Sequence, residues 1–77
     1  MKYFQSNSKQ ELLDATSQIC SVVNRVKGFE LIPPTEEDIF EHNGMFTVSA
    51  EFLQGFYKFP MPHKFRMMFF EGEEIGL

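Results

Sequence analysis

Seventy-seven residues predict one domain, 1–77, because stretches shorter than about 50 residues seldom fold as independent units. Hydrophobic residues supply 43% and charged residues 23%, a globular balance that argues against disorder, and no apolar run approaches the roughly 18 residues a bilayer crossing needs. The net charge of −4 disfavours non-specific binding to duplex nucleic acid, which depends on neutralising phosphates.

In chain order, Met1-Lys2-Tyr3-Phe4-Gln5-Ser6 lacks the apolar stretch of a secretory signal, which predicts a cytoplasmic protein with no membrane partner. Ser8-Lys9-Gln10-Glu11 fits a capping box, in which the serine hydroxyl accepts from the Glu11 amide and Glu11 reaches back. Leu12, Ala15 or Thr16, Ile19, Val22 or Val23 and Val26 then recur every three or four residues, an amphipathic helix over 9–27 with one buried face. Arg25 and Lys27 suit the negative end of its dipole, and Gly28 supplies the left-handed residue that ends it. Cys20 lies beside the stripe with no charged residue one turn away, so it reads as a small core residue rather than a nucleophile.

Residues 28–44 read as a connector with a short helical turn. Phe29-Glu30-Leu31-Ile32 is a short edge strand or extended linker stopped by Pro33-Pro34. Thr35 can cap a turn at 36–42 whose first residues are acidic, and Asn43-Gly44 ends it. Over 45–53, Phe46, Val48, Ala50 and Phe52 alternate with Thr47, Ser49 and Glu51, the period-two pattern of a strand. Gln54-Gly55 predicts a tight hairpin into a return strand Phe56-Tyr57-Lys58-Phe59, cut by Pro60-Met61-Pro62. A competing parse has Ser49 cap a helix from Glu51 to Phe59, with Gly55 inside it at a cost of about 1 kcal/mol. Residues 63–71 predict a further strand, with Phe65, Met67 and Phe69 on one face and Lys64, Arg66, Met68 and Phe70 on the other. An acidic tail occupies 72–77. The predicted fold is α+β: a long N-terminal helix packed on a three-stranded antiparallel sheet over 45–71, with a short helical turn between.

Charge is segregated along the chain: +2 over residues 1–27, −6 over 28–56, +3 over 57–66 and −3 over the remainder. No glycine-rich phosphate loop or nucleophile elbow is present. The acids Glu36, Glu37 and Asp38 read as a solvated first turn rather than a catalytic pair, so no enzyme is predicted. His42, His63 and Glu41 lack helical ligand spacing, so neither a metal nor another cofactor is expected.

The 10 phenylalanines serve first as a core for a small chain, yet a last strand with Met68 and Phe70 opposite its core side leaves apolar surface to cover. These features predict a protein-binding module. Phe56, Tyr57, Phe59, Met61, Met68 and Phe70 would form its contact surface, and Glu36, Glu37, Asp38 and Glu41 would steer it toward a basic partner. A small acidic chain of this kind fits an inhibitor or adaptor of a larger machine that acts by steric occlusion, by analogy with small phage-encoded accessory proteins. Mimicry of DNA by the acids is a thinner variant of that reading. The same apolar surface would alternatively make a homodimer by pairing a strand edge. The basic-aromatic stretch with Lys58, His63, Lys64 and Arg66 is the alternative site, for single-stranded nucleic acid.

Overall fold

The computed structural model describes residues 1–55 and 63–72. Its elements run β1 (Lys2–Ser6), α1 (Lys9–Lys27), β2 (Phe40–His42), β3 (Met45–Ser49), α2 (His63–Met68) and β4 (Phe69–Glu71), with 3-10 turns at Glu36–Asp38 and Ala50–Leu53. The architecture is α+β, with one long helix on an antiparallel sheet. Among the described residues the sheet has four strands rather than the three expected, in the order β2-β3-β1-β4. Each of β1 and β3 sends a helical connection to a strand beyond its neighbour, the pattern of two interleaved split β-α-β units.

Local chemistry sets the bounds of α1. The Ser8 Oγ accepts from the Glu11 amide at 3.2 Å, as a capping box requires. The reciprocal half is rerouted: the Ser8 amide donates to Ser6 Oγ at 3.2 Å, and that hydroxyl in turn faces Glu11 Oε2 at 3.5 Å. Gly28 ends the helix at φ 69°, its amide bonded to the Asn24 carbonyl at 2.9 Å. Leu12, Ala15, Thr16, Ile19, Cys20 and Val23 are buried, but Val26 is 59% exposed, so the inward stripe stops one turn short of the sequence pattern.

Register divides the sheet into two faces. Phe4 lies opposite Val48 and Phe69, and Ser6 opposite Phe46, which puts these phenylalanines and Val48 on the face toward α1. There they join Leu12, Ile19, Val23, Leu31, Leu53, Phe65 and Met68 in one core. The other face carries Tyr3, stacked on Phe70 at 5.3 Å and edge-on to Phe40 at 6.5 Å. On the same face Gln5 Nε2 donates to the His42 carbonyl at 3.1 Å and to Thr47 Oγ1 at 3.2 Å, which satisfies polar groups beside the fully buried Thr47.

Several sequence expectations are corrected. The predicted helical turn over 36–42 is a single 3-10 turn followed by β2, and Asn43-Gly44 joins β2 to β3 as a two-residue hairpin. Both residues have positive φ, 53° and 77°, the geometry whose twist matches that of paired strands. The strand predicted over 45–53 ends at Ser49, whose Oγ accepts from the Glu51 amide at 3.2 Å and starts the turn at Ala50–Leu53. Gln54, left-handed at φ 50°, stops that turn before it lengthens into the alternative helix. Residues 63–68 are helical, and only Phe69–Glu71 continue as strand. The predicted return strand at 56–59 lies outside the described residues, as does most of the acidic tail.

Candidate functional site

Helical geometry at 63–68 reverses the expected roles of two methionines. Phe65 and Met68, three residues apart, share the inward face, and Met68 is 8% exposed within the core. Met68 is therefore withdrawn from the predicted contact surface, and its neighbour Met67 stands 74% exposed in its place. Phe70 is half-buried and stacked on Tyr3, which leaves only part of its ring to a partner. Phe56, Tyr57, Lys58, Phe59 and Met61 lie outside the described residues. His63, Lys64 and Arg66 are exposed on α2 rather than on a strand beside stacked aromatics, the placement the nucleic-acid alternative assumed.

The acidic residues are exposed but unequally engaged. Glu36 pairs with Lys9 at 3.3 Å, while the Lys9 ammonium also sits 5.4 Å from the centre of the Phe46 ring. Asp38 Oδ2 accepts from the Thr35 amide at 2.8 Å and from the Thr35 hydroxyl at 3.2 Å, which fixes the turn. Glu41 lies opposite Phe46 on the edge strand β2. Glu37, Glu41 and Glu51 make no ion pair among the described residues.

A structural clamp builds the apolar part of the site. The Leu31 amide donates to Asn24 Oδ1 at 2.7 Å, and Asn24 Nδ2 donates to the Leu31 carbonyl at 3.1 Å. One side-chain amide thus serves both backbone groups of Leu31, as a neighbouring strand would, and holds that leucine in the core at 4% exposure. The next residue in an extended chain points the opposite way, and Ile32 is 79% exposed. Pro33 and Pro34 follow, rigid and without amide donors, so this segment cannot join the sheet as a strand would.

Beside this segment lies a groove of about 540 Å³ at the end of the sheet. Its apolar lining includes Met1, Ile32, Pro33, Pro34, Phe40 and Phe52, and Glu37, Asp38 and Glu51 contribute its carboxylates. Glu37 and Asp38 are among the residues expected from sequence; Ile32 and Glu51 are not. The available signal was an apolar β-branched residue directly before two prolines and an acidic run. Such a groove can receive an apolar side chain flanked by cations.

Cys20 takes no part in the groove. It is 1% exposed, and burial pushes its thiol from 9.0 up to about 11, which keeps it protonated at neutral pH. His42 is half-buried, with a ring nitrogen 3.2 Å from Asn43 Nδ2. Among the described residues no group of three or more His, Cys, Asp or Glu is placed to hold a metal, and no helix is long and apolar enough to cross a membrane. Comparison with protein-family models, with curated proteins and with solved structures finds no match.

Proposed function

We propose that the chain is a small non-catalytic protein-binding module, an inhibitor or adaptor that covers a basic surface of a larger protein. The contact surface is the groove beside Ile32–Thr35. The observation that carries this reading is an exposed isoleucine beside a rigid Pro-Pro segment, set next to carboxylates that make no ion pair among the described residues. Exposed apolar anchors fill pockets on a partner, and rim charges raise association rates and select the sign of the surface met.

The experiment compares proteins retained from a lysate of the native host by three immobilised forms: wild type, Ile32→Asp and Val26→Ser. Val26 is also exposed but does not line the groove, so its variant controls for loss of apolar surface in general. A specific protein held by wild type and Val26→Ser but lost from Ile32→Asp is the expected result. Equal retention by all three would remove the groove from the reading.

A further inference from the structure

The two most exposed large apolar side chains among the described residues stand in surroundings of opposite charge. Ile32, 79% exposed, borders the groove that carries Glu37, Asp38 and Glu51. Met67, 74% exposed, stands on α2 with His63 and Lys64 one turn before it on the same helix face and Arg66 alongside. Lys64 and Arg66 make no ion pair among the described residues. Among the described residues both side chains stand exposed, so neither covers the other.

We propose that the groove takes α2 of a second copy of this chain, with Met67 seated against Ile32 and Pro33 and with Lys64 and Arg66 facing Glu37 and Glu51. The inference rests on the groove being a contact surface, and it names the chemistry of one occupant. An apolar knob ringed by cations matches an apolar groove with carboxylates in both hydrophobicity and charge. Because the two patches differ, two copies either satisfy each other reciprocally in a two-fold, isologous dimer or pass the contact head-to-tail into longer, heterologous chains.

The test is sedimentation velocity of the full chain from micromolar to millimolar concentration at low salt. Wild type is expected to sediment faster as concentration rises and to lose the effect at high salt. Lys64→Glu/Arg66→Glu and Glu37→Lys/Glu51→Lys should each weaken association about tenfold or more, because each sets like charges face to face. Circular dichroism confirms that both variants fold. An equimolar mixture of the two should recover association, since each variant then offers the charge the other lacks. A wild type that stays monomeric to millimolar concentration, or a mixture no stronger than either variant alone, would overturn the proposal. If the monomeric protein still captures a foreign protein through Ile32, only the second-copy occupant falls, and the binding-module reading stands.

Discussion

Asn24→Ala removes the clamp that shapes the groove while leaving every apolar core residue in place. Two hydrogen bonds disappear, the 2.7 Å bond from the Leu31 amide and the 3.1 Å bond to its carbonyl. A buried or half-buried bond of this kind contributes about 1 kcal/mol net, so the pair contributes about 2 kcal/mol. Both bonds are only part-buried, so the Leu31 groups they free are not fully sealed from water and the larger penalty of a sealed orphan does not apply. Amide exchange at Leu31 reads the change at the affected atom. In wild type that proton is held by a side chain, and in the variant it should exchange about 30-fold faster, the ratio that about 2 kcal/mol of local opening implies. Urea unfolding should show a lower midpoint with an unchanged slope. Equal Leu31 exchange rates in the two proteins would refute the clamp as the element that positions Ile32 and the prolines.

Three further outcomes follow from the fold. Met68→Ala should destabilise the domain by about 2–4 kcal/mol and Met67→Ala by less than about 0.5 kcal/mol in thermal or urea melts, an order a strand at 63–68 would reverse. Cys20 should resist thiol-labelling reagents at neutral pH until the chain unfolds. Its folded value, raised from 9.0 to about 11, makes its contribution full below pH 9 and lost as pH climbs through that interval, because the unfolded thiol ionises first. Cys20→Ala should therefore lose less stability than wild type between those pH values. Gly44→Ala places a side chain at φ 77° and should cost about 1 kcal/mol in urea unfolding, with no effect expected if the hairpin formed another turn.

The long helix was legible because its signals are local. Ser8, Glu11 and Gly28 mark its ends, and a buried stripe repeats with its period. β1 was not legible, since it lies between β3 and β4 with Tyr3 and Phe4 buried on opposite faces, which erases alternation. β2 is only three residues long, and the informative signal was the Asn43-Gly44 pair rather than the strand itself. At 63–71 the alternating pattern of Phe65, Met67 and Phe69 competes with the three-residue spacing of Phe65 and Met68, and the core selected the second. The groove depends on Asn24 reaching Leu31, a tertiary contact that no spacing rule encodes. Its acids were visible in the sequence, whereas the exposed Ile32 followed only from the clamp.

The position of β1 also bears on synthesis. Its Tyr3 pairs with Ser49 on one side and with Phe70 on the other, so this strand leaves the ribosome ahead of both neighbours and is flanked on both sides only after Phe70 has followed. Until then two aromatic rings on a nascent strand remain uncovered, the state in which chaperones bind and chains misassociate. Such distant pairings also slow folding itself, because long loops must close before any ladder forms. A premature stop ahead of Phe69 would leave that central strand bare along one edge, and the expected product is an aggregation-prone fragment rather than a smaller working domain.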